Sequence, residues 1–409
     1  MKKFVFLIFL LACFVRFLYF PENIYFGFDQ ARDAFESQNI YKNFDFKIIG
    51  PSTAAENLFH GPLYWYLIGP LYLLGNGNPV FPAAFLLLAN AVGVFIIFWI
   101  GKTMFNSKVG ILSALIFAIS FEQTQYALYF GNPAPAVLAI MLFYAGLALL
   151  IFKKNWLGIP VSLAGLGLSV QFEFFLVYLF VVLFIYTIIF KSSITTVLNM
   201  RRIVLSFLAI LVTLSTYLLA EIKFDFRTTK NLVGILTRAG KGGENLSYTF
   251  GLYSEKLSQH VEDNIFSPES KILFWVLTFS AFYVVLKKKK ESPQISFLLI
   301  WVFSSALLLI FGLSNLYYTN IGISVAFILL SSFFIGKIFN KSIAMGLIPM
   351  VLILSNNLKL ITNQNQNGII NGIYVQEGML LSREKQIMDY IYKEAQGKPR
   401  PQRNNKEDL

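Results

Sequence analysis

The chain holds one cysteine in 409 residues, Cys13, inside its first apolar run. An intrachain disulfide is therefore excluded, and with it a cysteine-built metal site. Histidine is nearly as scarce. His60 and His260 are the two present, far apart in the chain, which leaves no His-rich metal centre. Charge is sparse too, at 14% of residues. There is no Gly-rich phosphate loop, no GxSxG nucleophile motif and no kinase signature. The net charge of +12 comes with no zinc-finger spacing and no RNA-binding aromatic pattern, so nucleic acid is not implied as a partner. No internal repeat and no soluble nucleotide-binding domain is visible.

What is present is apolar. Hydrophobic residues make up 56% of the chain and aromatics 17%, with 43 phenylalanines, too many for a soluble surface to hide. Apolar runs of about bilayer-crossing length recur along the sequence, which predicts an all-α integral membrane protein. A transmembrane β-barrel would show short alternating segments instead.

Taken in order, Lys2 and Lys3 precede an apolar run over 4–20 with no small-residue cleavage site after it. This reads as an uncleaved first span with a cytoplasmic N-terminus. Arg16, near its outer end, either snorkels to the interface or points into a site. A first external loop covers 21–79. Within it, 62–74 is apolar but short for a span and predicts an interfacial helix. Further spans fall near 80–101, 109–129, 134–153, 156–170, 174–190 and 203–220. After an external loop over 221–270 come a span ending at 287, then 295–313, 318–336 and 343–355. That makes about eleven spans. Residues 1–355 thus form the membrane domain, and 356–409 a short external tail. In the tail, 382–395 has helical spacing, and the last ten residues are expected to be disordered. The inferred cytoplasmic segments hold roughly fifteen Lys and Arg against one acid, Glu291, as orientation by basic loops requires. The acidic clusters then fall outside.

Two of those clusters draw attention. In FGFDQARDAFES (26–37), Asp29, Arg32 and Asp33 share one helix face through their i, i+3 and i+4 spacing. A solvated loop with a local ion pair is the plain alternative. ENLFHGPLYWY (56–66) follows, with Glu56, His60 and Tyr64. Acids beside or within spans are costly and point to function, and Glu122, Glu173 and Glu221 all map toward the outer leaflet. Their ordinary readings are interhelical hydrogen bonds for Glu122 and Glu173, and an interfacial acid for Glu221. His60 reads equally as a hydrogen-bonded structural residue. Tyr64, Trp65 and Tyr66 read first as interfacial aromatics, and second as a stacking surface for a sugar. None of the acids sits at the midplane, where an ion-coupled transporter keeps its site. A carboxylate-bound Mg²⁺ or Mn²⁺ stays open as a cofactor.

These residues carry a resemblance. DQARDA (29–34) with HGPLYWY (60–66) resembles the integral-membrane glycosyltransferases of the C superfamily, GT-C, near the family 39 protein O-mannosyltransferases and the lipid A aminoarabinose transferases. GPST (50–53), YALYFGNP (126–133) and EIKFDFRTTK (221–230) look like further landmarks of that group. QFE (171–173) resembles its Gln-x-His pattern, with Glu173 in place of the His. The resemblance implies a polyprenyl-phosphate-linked sugar as donor and inverting transfer to a lipid, glycan or protein acceptor. The reaction would take place on the outer, periplasmic face, in the assembly of the cell envelope. It also implies substrate-binding roles for Glu56, His60, Tyr64, Asn132, Glu173, Glu221, Arg227 and Lys230. The residues fit that chemistry on their own terms. A leaving phosphate needs no proton, so one general base suffices for the acceptor hydroxyl. Asp29 is the choice for that base, with Arg32 orienting it and Asp33 holding Arg32. The phosphate needs fixed positive charge, from Arg227 and Lys230 or from Arg238 and Lys241. The alternatives are a transporter or flippase for a lipid-linked saccharide, and a non-enzymatic scaffold. The first would need charges along a path through the membrane, and few are visible. The second would have no reason to cluster acids beside the first span.

Overall fold

The structure, a computed structural model, describes residues 2–55, 57–239, 246–266, 270–288, 290–311, 317–362 and 379–395. Nineteen α-helices lie among the described residues. The first eight are α1 (Lys2–Arg16), α2 (Phe28–Lys42), α3 (Leu63–Leu74), α4 (Val80–Met104), α5 (Ser107–Ala118), α6 (Phe121–Leu128), α7 (Pro133–Lys153) and α8 (Gly158–Phe172). A 3-10 turn, Phe174–Tyr178, leads into α9 (Leu179–Ile189), α10 (Lys191–Thr195), α11 (Met200–Thr213) and α12 (Ser215–Lys223). Then come α13 (Arg227–Ala239), α14 (Leu246–Glu262), α15 (Ser270–Lys287) and α16 (Ser292–Val302). Two more 3-10 stretches precede α17 (Ile323–Lys341), α18 (Ile343–Thr362) and α19 (Leu381–Ala395).

Helix α1 shows why these segments sit in a bilayer. Val5, Ile8, Ala12 and Val15, at helical spacing, are buried against α4, α5 and α6. The other face presents Phe4, Phe6, Leu7, Leu10 and Phe14 outward. An apolar face of that extent suits lipid and not water. Helix α18 repeats the arrangement, with Ile343, Leu347, Ile348, Val351 and Leu354 outward. Helices α7 and α8 approach most closely. A Cβ on Gly146 would lie 2.3 Å from the Ser162 nitrogen, and one on Gly165 2.3 Å from the Phe143 nitrogen. Small residues let membrane helices pack backbone to backbone in this way.

Four helices, α4, α7, α17 and α18, are long and apolar enough to cross a membrane alone. The number is six if each of two bent pairs, α5–α6 (54°) and α11–α12 (64°), counts as one span. Shorter apolar stretches lie at Leu63–Leu74, Gly158–Phe172, Phe174–Ile189 and Ser292–Leu308. The expected count of about eleven is not confirmed by these lengths. The span expected at 109–129 is broken for a visible reason. Ser120 Oγ accepts from the Gln123 N–H at 3.0 Å and starts a new helix, α6. The end of α5 is closed by Arg16, which is fully buried. Its Nη1 donates to the Ala118 carbonyl at 3.0 Å, its Nη2 to that of Phe117 at 3.3 Å, and its Nε to Asn90 Oδ1 at 2.7 Å. Arg16 therefore neither snorkels nor enters the cavity described below. It supplies donors to the carbonyls at the end of α5, that of Ala118 and that of Phe117, which also accepts from the Ser120 N–H at 3.3 Å.

Extended structure among the described residues is limited to isolated bridges, Ser52 with Phe59 and Tyr25 with Leu380. Around the second, the Phe26 N–H donates to the Met379 carbonyl and the Leu381 N–H to that of Ile24, both at 2.9 Å. Ser382 Oγ donates to the Glu22 carbonyl at 2.8 Å. The start of α19 is thus stitched to the segment leading into α2. The final ten residues lie outside the described residues.

Candidate active site

Helix α2 opens where the Gln30 side chain accepts from the Gly27 N–H at 3.0 Å, and it lies along the apolar helix α3. The three charges share a face. Arg32 Nη1 donates to Asp29 Oδ1 at 2.7 Å. Its Nε and Nη2 donate to Asp33 Oδ1 at 3.0 and 2.9 Å. Trp65 Nε1, from α3, donates to the same Asp33 oxygen at 2.8 Å. The two carboxylates differ in surroundings. Asp33 is buried, and burial pushes its carboxyl above the usual range, against the opposing pull of Arg32 and the Trp65 hydrogen bond. The Asp29 side chain is 61% exposed, and its Oδ2 has no protein partner among the described residues.

The facing wall is a short hairpin. The Gly50 N–H donates to the His60 carbonyl at 3.0 Å and the His60 N–H to that of Pro51 at 2.9 Å. The Gly61 N–H donates to the Gln171 carbonyl at 2.9 Å, tying the hairpin to the end of α8. Both glycines are sterically required. A Cβ on Gly50 would lie 2.3 Å from the Gly61 oxygen, and one on Gly61 1.8 Å from Gln171 Oε1. Gln171 Nε2 is in turn anchored on Thr216 Oγ1 at 2.7 Å and the Thr213 carbonyl at 2.8 Å.

His60 Nδ1 accepts from the Phe174 N–H at 3.2 Å, which assigns the ring proton to Nε2. Burial, helped by the charge of Arg32, lowers its pKa to about 3, so the ring is neutral. Glu173 Oε1 lies 3.6 Å from the same nitrogen and has no hydrogen-bond partner, and neither does Asn132 Oδ1. The two residues are 2% and 6% exposed.

A consequence for stability follows from His60. A histidine held neutral in the fold protonates more readily once unfolded. Stability should therefore fall as pH drops from about 6.5 toward about 3, by up to ~1.4 kcal/mol per pH unit. His60→Gln removes the titrating group, so its unfolding midpoint should decline less steeply over that window. Equal slopes for the two proteins would place the acid sensitivity elsewhere.

These groups surround one cavity of about 330 Å³, within the range of small-ligand sites. Its lining comprises Asp29, Gln30, Arg32, Asp33, Pro51–Ala54, His60, Tyr129, Gly131, Asn132, Pro133 and Glu173. Six of the residues singled out in the sequence are therefore brought together: Asp29, Arg32, Asp33, His60, Asn132 and Glu173. Others are not. Tyr64 is buried behind the wall. Glu221 accepts from the N–H groups of Thr228 and Thr229 at 3.0 and 3.1 Å and caps the start of α13. Arg227 pairs with Asn57 on the outer side of the hairpin and sits over the Phe59 ring. Lys230 pairs with Asp225 at 2.7 Å. Glu122 lies in a separate buried cluster, accepting from Asn264 Nδ2 at 2.7 Å with His260 Nδ1 at 3.0 Å. Glu56, Lys241 and the Arg238 side chain lie outside the described residues.

The roles of Trp65 and Gln30 are not readable from the sequence. Trp65 reads as an interfacial ring until α2 is placed against α3, where its indole N–H becomes a donor to Asp33. No group of three or more His, Cys, Asp or Glu able to hold a metal occurs among the described residues. The guanidinium of Arg32 occupies the position between Asp29 and Asp33 that a cation would take.

No protein-family model matches the sequence, and no curated protein does. Solved structures do match in shape. One is the archaeal oligosaccharyltransferase AglB from Archaeoglobus fulgidus, in complex with an inhibitory peptide and a dolichol-phosphate. It is 12% identical, over 92% of this chain and 56% of that chain, with a TM-score of 0.55. A second is ArnT from Cupriavidus metallidurans bound to undecaprenyl phosphate, 14% identical over 86% of this chain and 64% of that one, TM-score 0.60. A third is the Archaeoglobus fulgidus oligosaccharyltransferase tethered with an acceptor peptide containing the NVT sequon. It is 13% identical over 97% of this chain and 57% of that one, TM-score 0.62. The chain spans less than two thirds of the length of each. At these identities the likeness establishes the fold, a polytopic helical membrane fold of the GT-C type.

Proposed function

We propose that this protein is a membrane glycosyltransferase that moves a sugar from a polyprenyl-phosphate donor to an acceptor hydroxyl, with inversion, on the outer face of the membrane. The observation that carries this reading is the Asp29–Arg32–Asp33 array at the cavity wall, with one Asp29 oxygen unengaged. Asp29 takes the proton of the acceptor hydroxyl. The acceptor oxygen bonds to the anomeric carbon as the bond from that carbon to the phosphate oxygen breaks, and polyprenyl phosphate leaves as the anion. Arg32 fixes the Asp29 carboxylate, while Asp33, itself held by Trp65, braces Arg32. The unpartnered oxygens of Asn132 and Glu173 accept hydrogen bonds from hydroxyls of the sugar. The fold likeness to structures bound to dolichol-phosphate and undecaprenyl phosphate supports this choice of donor. Turnover of a polyprenyl-phosphate sugar by the purified protein tests the reading against a flippase and a scaffold, neither of which would release polyprenyl phosphate.

The phosphate site is proposed at the cavity mouth. Arg32, the one cation in the lining among the described residues, is already engaged by two carboxylates. Arg227, which meets Asn57 and the Phe59 ring of the hairpin, is the candidate, with Lys230 one turn along α13. Arg227→Gln together with Lys230→Gln should raise the donor KM roughly tenfold or more, as charge-assisted hydrogen bonds to the phosphate are lost. An unchanged donor KM and kcat would move the phosphate site to Arg238 and Lys241.

The same reading puts the N-terminus in the cytoplasm and the tail outside. A single cysteine at Ser382, in a Cys13→Ser background, should react with an impermeant thiol reagent on intact cells. Labelling only after lysis would reverse the orientation of both the tail and the first loop.

A further inference from the structure

A second cavity, of about 240 Å³, lies at the opposite end of the α5–α6 unit from the catalytic one. It is bounded by the last residues of α4, the start of α5, the start of α16 and the final turns of α17. Its charged lining consists of Lys108, Lys290, Lys337 and Glu291. Two of the ammonium groups are held in place. Lys108 Nζ donates to Asn340 Oδ1 at 2.7 Å. Lys337 Nζ donates to Glu291 Oε1 at 2.6 Å and lies 5.2 Å from the Phe333 ring centroid. Glu291 offsets one of the three lysines, and two positive charges remain uncompensated. Phe105 and Phe333, with ring centroids 4.8 Å apart, give the same cavity an aromatic flank.

Separate ammonium groups around a small cavity suit an anion with several oxygens, so that each lysine meets a different one. The chemistry is that of a phosphate group. The place decides its source. The cavity sits at the ends of α4 and α17, two helices long and apolar enough to cross a membrane, and combines lysines with an aromatic flank that a glycerol backbone and first acyl carbons can touch. Basic pockets between helices at this level are suited to anionic headgroups. We propose that this cavity is a binding site for the phosphate of an anionic phospholipid, separate from the donor site.

The test uses the purified full-length chain, stripped of lipid, and native mass spectrometry with phosphatidylglycerol, phosphatidylcholine or inorganic phosphate as the probe. Wild type should retain phosphatidylglycerol over phosphatidylcholine by roughly tenfold or more. Lys108→Gln/Lys290→Gln/Lys337→Gln should abolish that preference, and the corresponding triple Lys→Arg variant should restore it. A control triple at other helix ends, Lys153→Gln/Lys154→Gln/Lys191→Gln, removes the same charge and should keep the preference. Loss in the control equal to that in the cavity variant would reduce the effect to overall charge and overturn the site. So would an undiminished preference in the cavity variant. Binding of inorganic phosphate with no preference for phosphatidylglycerol would overturn the lipid as occupant.

Discussion

Asp29→Asn is expected to lower kcat at least ~100-fold, since a general base contributes about 10²–10⁴ in rate, while leaving donor binding in place. The asymmetry between the two carboxylates motivates the choice. Asp29 is open to the cavity and spends one oxygen on Arg32. Asp33 is buried, and one of its oxygens accepts from both Arg32 and Trp65. An amide at position 29 can still accept from Arg32, so the array survives while the base is lost. Asp33→Asn should cost less in kcat, about 10–100-fold by analogy with residues that orient metal ligands, and should also shift donor or acceptor KM because Arg32 loses its brace. Normal turnover by Asp29→Asn beside a dead Asp33→Asn would exchange the two roles. Full activity in both would remove the base from this helix altogether.

The second large effect concerns stability. Arg16→Met should destabilise the protein by about 3 kcal/mol, taking ~1.5 kcal/mol for each of the two charge-assisted bonds that close α5. The carbonyls of Phe117 and Ala118 would lose their side-chain donor within the protein interior, and Asn90 would lose its partner. Arg16→Lys keeps the charge but offers one nitrogen where three now act, so it should fall between. Unfolding by denaturant in detergent micelles measures the loss. A change within about 0.5 kcal/mol, the ordinary scale for substitutions away from such features, would mean that water or lipid replaces the guanidinium and that the bend does not depend on it.

The cavity-lining residues and the bend were legible in the sequence to different degrees. The charged face of α2 could be read because i, i+3 and i+4 spacing is a local property, and Arg32 does bridge Asp29 and Asp33. The short apolar helix at 63–74 was likewise legible from its length. In sequence Glu221 looked similar to the cavity acids and Lys230 to a phosphate-binding cation, yet one caps α13 and the other pairs with Asp225. Capping at that distance depends on a turn at 224–226, where Asp225 and Phe226 adopt positive φ, a conformation that Asp enters readily but that a bulky Phe does not advertise. The broken span over 107–128 was hidden because hydropathy sums over a window and does not notice Ser120 starting a new helix. Arg16 could be read only as snorkelling or pointing into a site because the partners that close α5, Asn90, Phe117 and Ala118, are 74 to 102 positions away.

The stitch between residues 22–26 and 379–382 has a bearing on biogenesis. The segment that leads into α2 leaves the ribosome among the first residues, but the Phe26 N–H meets its acceptor only when Met379 has been made. The Ser382–Glu22 bond closes over 360 positions. Such long-range pairing is slow to form. During synthesis the entrance to α2 therefore has no partner for its outward backbone groups, and a nascent or prematurely terminated product lacks the clasp. The earliest part of the cavity wall to be translated is the last to be locked, so a chain whose synthesis stops before 379 carries Asp29, Arg32 and Asp33 without the segment that fixes their approach.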